Sequence, residues 1–326
     1  MRISRRSFLE TAALSGAAAC CAVPATADTT VLPTRVLGKT GARVSILAMG
    51  CGSRYLMYKD EDQAVEAARK ALDLGITYLD SADDYGKDHL SERRIGKALK
   101  GRRNGIFVAT KLSNRNGEDT ARIVEASLSA LQLDYVDLVH IHSLTSEDDL
   151  ARIEAKGGVL EQLLKLRDQK MTRFIGITSH TDPNVLKTAL ERHDFDCTQM
   201  ALNAGQVAMR NGQGGMVPNE AMKSSFETVA LPVAKRKQMG ILAMKVFAQD
   251  ALSSQATPEK LLYYSLSLPV TAAVVGMPKL EHIEDNVQLA KRFKPLPASE
   301  MQQISGTLSE KNKAKLDLFF VTHVDA

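Results

Sequence analysis

Residues 106–142 read IFVATKLSNRNGEDTARIVEASLSALQLDYVDLVHIH. Two apolar runs rich in Val and Ile, 106–110 and 136–141, are each closed by an ionisable side chain, Lys111 and His142. Between them, over 119–132, apolar residues recur at the three- and four-residue spacing of an amphipathic helix. The stretch is one strand–helix–strand unit, and the same unit repeats on both sides of it.

Working outward, strands are expected at 46–49, 77–79, 106–110, 136–141, 174–178, 198–202, 241–244 and 272–275. Helices are expected at 61–74, 91–100, 119–132, 159–169, 182–192, 226–239, 258–267 and 281–291. Ser91 followed by Glu92, and Asp182 followed by Pro183, read as helix starts. Eight strands alternating with eight helices, without a long linker, predict an α/β fold, a (β/α)8 TIM barrel. An open doubly wound sheet usually carries a glycine-rich first turn; Met49-Gly50-Cys51-Gly52-Ser53 lacks the full fingerprint. Ahead of the barrel, 34–37 and 42–45 flank Gly38-Lys39-Thr40-Gly41 as an N-terminal β-hairpin suited to plugging the barrel floor. Residues 293–326 form a C-terminal helical tail with a helix near 298–311. The stretch 203–225 is long for a strand-to-helix connection and reads as a lid or a disordered loop. With the 143–158 segment it is expected to shape a substrate pocket.

The chain has 326 residues, 44% hydrophobic and 25% charged, which excludes wholesale disorder. Its 42 basic residues nearly balance 38 acidic ones, Trp is absent and aromatics make up 5%, so a nucleic-acid partner is not expected. Residues 1–27 combine a basic start, a short Ala/Gly-rich apolar middle and Ala25-Thr26-Ala27, the pattern of an export signal. Ser4-Arg5-Arg6-Ser7-Phe8-Leu9 resembles the twin-arginine signal, whose machinery carries folded proteins. The middle is too short for a permanent membrane anchor, which needs about 20 apolar residues, and Ala17-Ala18-Ala19 lacks the large apolar residue expected before a lipidated Cys20. Cleavage after Ala27 leaves residues 28–326 as a single barrel domain whose net charge falls from +4 to +2. The expected location is the periplasm, or the cytoplasm should the signal be inefficient. Two of the four cysteines, Cys51 and Cys197, then remain, expected as buried free thiols, so neither a disulfide framework nor a Cys-rich metal site can form.

In a barrel of this kind, chemistry gathers where strands finish. Asp80 closes ITYLD, Lys111 closes IFVATK and His142 closes VDLVHIH, each 31 residues from the last. Tyr85 follows in DSADDYG, within reach of the same mouth. A phenol titrates near pH 10, and an adjacent ammonium favours its ionised form, which suits Tyr85 to general acid–base work near neutrality. Asp80 would hold Lys111 charged, and His142 would orient a substrate oxygen. A carbonyl that gains a hydride builds negative charge on oxygen, and such donors answer that need. Two other readings of these residues differ in class. His140 and His142, alternate residues of one strand, would suit a metal-dependent hydrolase on the same barrel, and a barrel that binds a dinucleotide without catalysis would serve as a sensor.

Taken with RVLGKTGARVSILAMGCGS, LDLGITYLDSADDYG, SERRIGKAL, FVATKLS, LQLDYVDLVHIHS, IGITSH and VVGMPKLEHIEDN, these residues resemble the aldo-keto reductase family over 35–292. The resemblance implies reversible reduction of an aldehyde or ketone to an alcohol, with Asp80, Tyr85, Lys111 and His142 as the catalytic tetrad. It implies NADP (NADPH) as cofactor, with NAD also open, and no metal. By the same similarity Ser179, His180 and Gln199 stand where the family holds the nicotinamide carboxamide, with His180 replacing an Asn. Gly276, Lys279, His282, Asp285 and Asn286 stand at its adenosine phosphate end, where His282 replaces a common Arg, and Lys245 would either contact the cofactor phosphates or merely line the wall. The expected substrate is a small polar carbonyl compound, and the expected state is a monomer. Cofactor loading before folded export would reconcile the resemblance with the signal.

Overall fold

The computed structural model describes residues 31–206, 208–212, 215–218, 224–248 and 252–321, with side chains left undescribed in 209–218 and 310–321. The expected signal segment, 1–27, lies outside the described residues.

A two-stranded hairpin comes first, β1 (Thr34–Val36) against β2 (Arg43–Ser45). Eight parallel strands then close into a barrel: β3 (Leu47–Gly50), β4 (Tyr78–Asp80), β5 (Phe107–Leu112), β6 (Val136–Ile141), β7 (Thr172–Ser179), β8 (Cys197–Ala201), β11 (Gly240–Met244) and β12 (Ala272–Gly276). β12 pairs with β3 from Ala273↔Leu47 to Gly276↔Gly50, which completes the circle. The helices are α1 (Glu61–Asp73), α2 (Leu90–Leu99), α3 (Gly117–Leu131), α4 (Glu147–Glu154), α5 (Val159–Asp168), α6 (Pro183–Arg192), α7 (Phe226–Val229), α8 (Leu231–Arg236), α9 (Pro258–Ser267), α10 (Leu280–Lys291) and α11 (Ala298–Val321).

Strand alternation sorts the core into two parts. Leu79, Val108, Val139, Ile141, Ile175, Ile177 and Met200 face outward to the helices. Ala48, Tyr78, Phe107, Ala109, Leu138, Cys197, Leu242, Ala272 and Val274 fill the barrel interior together with Leu37 and Val44. Those last two come from the hairpin segment, so the hairpin does plug the floor. Its tip is tied there by the Lys39 amide, which donates to the Gln238 carbonyl at 2.7 Å. Tyr78, Phe107 and Phe174 stack across the interior at centroid distances of 5.0 and 6.2 Å.

The structure departs from the sequence reading in several places. The helix expected over 226–239 breaks into α7 and α8 because Pro232 has no amide hydrogen for a bond one turn back. Ser91 does not cap a helix: α2 starts at Leu90, and the Ser91 hydroxyl donates to the Cys51 carbonyl at 2.7 Å. The long 203–225 connection carries an antiparallel pair, β9 (Met209–Gly212) and β10 (Gly215–Pro218). Helix α4 falls inside the 143–158 segment, started by Ser146, which accepts from the Asp149 amide. The C-terminal helix runs past the expected 311 to Val321. No described helix is long and apolar enough to cross a membrane.

Candidate active site

Parallel strands of a barrel all finish at one rim, so side chains closing neighbouring strands meet there whatever their distance in sequence. Asp80 ends β4 and Lys111 lies near the end of β5, both facing inward in step with Tyr78 and Ala109. Lys111 Nζ donates to Asp80 Oδ2 at 2.7 Å, to the Ser81 carbonyl at 2.7 Å and to the Tyr85 hydroxyl oxygen at 3.3 Å. The ammonium also sits 4.7 Å from the centre of the Tyr85 ring. Burial works against the Lys111 charge, but Asp80 and Tyr85 more than offset it and hold the group above the usual lysine range. An ammonium that costly to bury persists only because three acceptors surround it.

His142 immediately follows β6, and its ring meets that of Tyr85 edge-on at 5.5 Å. Its Nδ1 lies 2.9 Å from Ser113 Oγ and 3.5 Å from Asp84 Oδ1. Asp80, Tyr85, Lys111 and His142 are thus brought together at one mouth. The same mouth holds residues that the sequence reading did not single out. Ser113 Oγ donates to Asp84 Oδ2 at 2.6 Å. The Asp84 side chain is 49% exposed; partial desolvation at the mouth raises its carboxyl, yet the hydrogen bonds and charge of His142, the Ser113 hydroxyl and the Lys111 ammonium bring it down to about 2. Its neighbour Asp83 is pushed up to about 7 by burial and by the charges of Asp84 and Glu92. Arg115 grips Asp149 through Nε and Nη2 at 2.9 and 3.1 Å and donates to the His142 carbonyl at 2.5 Å, tying α4 to the rim. Asp84 stands within the quoted DSADDYG; for Ser113 and Arg115, lone polar residues in a loop, no local pattern marks the role.

The residues expected at the nicotinamide fall into two groups. Gln199 faces inward from β8, gives its amide hydrogen to Asp80 Oδ2 at 3.2 Å and leaves Oε1 buried with no partner. The Ser179 hydroxyl is engaged by the backbone, donating to the Leu144 carbonyl at 2.7 Å and accepting from the Thr181 amide at 3.3 Å. His180 is buried next to it, with Nε2 at 3.5 Å from Ser143 Oγ. Lys245 follows β11 in the left-handed region at φ 58°. At the far end of the rim, Gly276 ends β12 and takes the Arg54 side chain against its bare Cα; a Cβ there would lie 2.7 Å from Arg54 Cβ. Arg54 is a further cation that the sequence reading did not name. Helix α10 follows at Leu280, with Lys279 as its N-cap residue and no side-chain cap. Lys279 is exposed, with Nζ 3.3 Å from Glu281, His282 is half-buried, Asp285 exposed and Asn286 buried.

His140 lies one layer deeper, over Gly176, where an added Cβ would come 2.4 Å from His140 Nδ1. Burial, then the charges of Lys111 and His142, push its imidazole well below the usual histidine range, so it is neutral. Among the described residues no three His, Cys, Asp or Glu side chains are placed to share a cation. Cys51 and Cys197 are buried free thiols.

A closed (β/α)8 barrel with a buried ammonium, a carboxylate, a phenol and an imidazole at its C-terminal rim defines a barrel oxidoreductase of the carbonyl–alcohol class. The chain belongs to the aldo/keto reductase family, whose model matches residues 48–261. It is similar to an uncharacterized oxidoreductase of Bacillus subtilis, YqkF, 28% identical over 78% of this chain and 90% of the other. It is 27% identical to the L-galactose dehydrogenase of Arabidopsis thaliana over 82% of this chain and 91% of that one. Among solved structures, the holo form of an aldo-keto reductase from Bacillus halodurans superposes with a TM-score of 0.68 at 26% identity, covering 84% of this chain and 96% of that one. The chain is an oxidoreductase acting on small carbonyl compounds.

Proposed function

We propose that the protein reduces small polar aldehydes and ketones reversibly with NADPH, using Tyr85 as general acid and base. The observation that carries the roles is the buried Lys111 ammonium, 2.7 Å from Asp80 Oδ2 and 3.3 Å from the Tyr85 oxygen. Asp80 keeps Lys111 charged, and Lys111 favours loss of the Tyr85 proton. Tyr85 gives that proton to the carbonyl oxygen as negative charge builds there, and recovers it in the reverse direction. His142 hydrogen-bonds the same oxygen and fixes the face of the carbonyl that is presented.

The nicotinamide, when bound, supplies the hydride. Residues of this chain fit it. Gln199 Oε1 and Asp80 Oδ1 are buried acceptors without partners, matched to an amide hydrogen and a ribose hydroxyl. Ser179 and His180 complete the wall at the carboxamide. The start of α10, 12 residues long and without a side-chain cap, turns the Leu280 and Glu281 amides toward a phosphate. Gly276 and Arg54, with Lys245, Lys279 and His282, bring backbone and positive charge to the same end, while Asp285 and Asn286 serve the adenine. Support for the cofactor comes from a relative of Schizosaccharomyces pombe, 28% identical over 57% of this chain, which is named as an NADP(+) aldo-keto reductase. Stopped spectrophotometry of the purified protein with NADPH and a panel of sugars and short aldehydes tests the reading. Carbonyl-dependent loss of NADPH absorbance is expected, and no nucleotide binding at all would overturn it.

We further propose that residues 1–27 direct export by the twin-arginine machinery as a folded monomer with cofactor aboard. Support comes from Arg5-Arg6 and Ala25-Thr26-Ala27. Replacing Arg5 and Arg6 by Lys should hold the protein in the cytoplasm, as read by cell fractionation.

A further inference from the structure

The hydrogen-bond chain at the rim fixes which nitrogen of His142 carries a proton. A carboxylate only accepts, and a serine hydroxyl has a single hydrogen to give. Ser113 is 2.6 Å from Asp84 Oδ2 and so spends that hydrogen on the carboxylate. Its oxygen is also 2.9 Å from His142 Nδ1. Two groups that far apart share a hydrogen, and with the Ser113 hydrogen already placed, it must come from Nδ1. Asp84 Oδ1, 3.5 Å from the same nitrogen, adds attraction for a proton there.

A neutral imidazole has one N–H. With that hydrogen on Nδ1, a neutral His142 shows the substrate a lone pair on Nε2, which can accept from an alcohol but gives nothing to a carbonyl. Only the imidazolium presents an Nε2–H to a carbonyl oxygen. We propose that Asp84 and Ser113 are positioning residues that hold the His142 proton on Nδ1, so that Nε2 is a donor in the imidazolium and an acceptor in the neutral ring. The pair thereby makes carbonyl reduction depend on a second His142 proton and suits the neutral ring to alcohol oxidation. The inference rests on the reading above that His142 faces the substrate oxygen.

Other charges face His142 from each neighbouring element. The cations nearest it are the Lys111 ammonium on β5 and the Arg115 guanidinium, which donates to the His142 carbonyl. Asp84 favours an imidazolium, Tyr85 meets it ring to ring, and His140 on the same strand is neutral. Asp84 is the carboxylate within reach of the ring, which is why its removal has a defined sign. No electron or atom moves through His142: Tyr85 still supplies the proton that ends on the product oxygen.

The test is 15N–1H NMR of the imidazole nitrogens in the protein without substrate, with His142 assigned through His142→Gln. The expected result is the Nδ1–H tautomer in the neutral ring, moving to Nε2–H in Asp84→Ala, where the freed Ser113 hydroxyl donates to Nδ1, and retained in Ser113→Thr. Carbonyl reduction should fall by about tenfold per pH unit on the alkaline side of the wild-type profile, and that limb should flatten in Asp84→Ala while alcohol oxidation loses its alkaline advantage. A neutral wild-type His142 with its proton on Nε2 would overturn the proposal. Because that spectrum needs no turnover, it separates this failure from a failure of the reductase reading, which would appear as no carbonyl-dependent NADPH oxidation in any variant.

Discussion

Lys111 Nζ and Asp80 Oδ2 lie 2.7 Å apart on neighbouring strands, with side chains only 1% and 4% exposed. Neither charge has water to fall back on, so each depends on the other. Lys111→Met leaves Asp80 buried without its counter-ion and should cost about 3–5 kcal/mol of stability. Asp80→Asn combined with Lys111→Met removes both charges and should be more stable than Lys111→Met alone, while both variants lack reductase activity. Urea titrations of the single and double variants check this. A double variant no more stable than the single would mean that the pair's charge is not what holds this rim together.

Tyr85→Phe isolates the proton from the packing. The ring lies against the bare Cα of Gly52, where an added Cβ would come 3.1 Å from it, and against Lys111, and both contacts survive loss of the hydroxyl. NADPH affinity by fluorescence titration should change little, whereas kcat should drop by about a hundredfold or more. An unchanged kcat would remove Tyr85 from the acid–base role.

Gly176 is required by His140. A Cβ at 176 would stand 2.4 Å from His140 Nδ1 and 2.8 Å from the Cys197 carbonyl oxygen. Gly176→Ala should therefore destabilise the barrel by roughly 1–3 kcal/mol, the usual cost of overfilling a packed core. Adding His140→Ala relieves the side-chain clash but not the backbone one, so only part of the loss should return. Thermal denaturation of Gly176→Ala, His140→Ala and the double variant separates the two contributions; complete recovery would assign the whole cost to His140.

On the proposed reading, cofactor choice turns on the start of α10. Lys279 is drawn toward Glu281 at 3.3 Å, which leaves the half-buried His282 as the side chain best placed for a 2′-phosphate. His282→Ala should weaken NADPH binding by roughly tenfold to a hundredfold, in line with one hydrogen bond to a charged group, and leave NADH binding unchanged. Glu281→Gln, which frees Lys279, should act in the opposite direction. Parallel titrations with both nucleotides read the ratio, and equal weakening of both would place the phosphate elsewhere.

The eight barrel strands were legible because most are short apolar runs alternating with stretches of helical period, and their expected limits fall within about two residues of the observed ones. Asp80, Lys111 and His142 were legible for a related reason: an ionisable group at the end of a buried strand has few structural excuses. What stayed hidden depends on tertiary contact. α4 begins Glu147-Asp148-Asp149, whose acidic first turn suits a helix start but whose apolar face is just Leu150 and Ile153. Pro232 marks the break between α7 and α8 plainly in hindsight, yet the apolar period runs straight through it. Ser113 and Arg54 act through partners 29 residues away or across the barrel closure, Asp84 and Gly276, and no window of sequence contains both members.

Asp83 gives the molecule a pH dependence of its own. Burial, then the charges of Asp84 and Glu92, raise its carboxyl to about 7, against about 3.9 in an unfolded chain. Between these values the folded protein holds a proton that the unfolded chain has released, so the group's contribution to stability is complete below about pH 4 and is lost as pH rises to about 7. Above that both states are ionised and the penalty is constant. Asn mimics the protonated carboxyl and keeps the acceptor that the Ser113 amide meets at 3.4 Å. The Tm of Asp83→Asn should therefore match the wild type near pH 4, rise above it progressively to pH 7 and hold a constant advantage from there to pH 8. Differential scanning calorimetry across that range checks the prediction, and a Tm difference that is the same at pH 4 and pH 8 would show that Asp83 carries no proton into the fold.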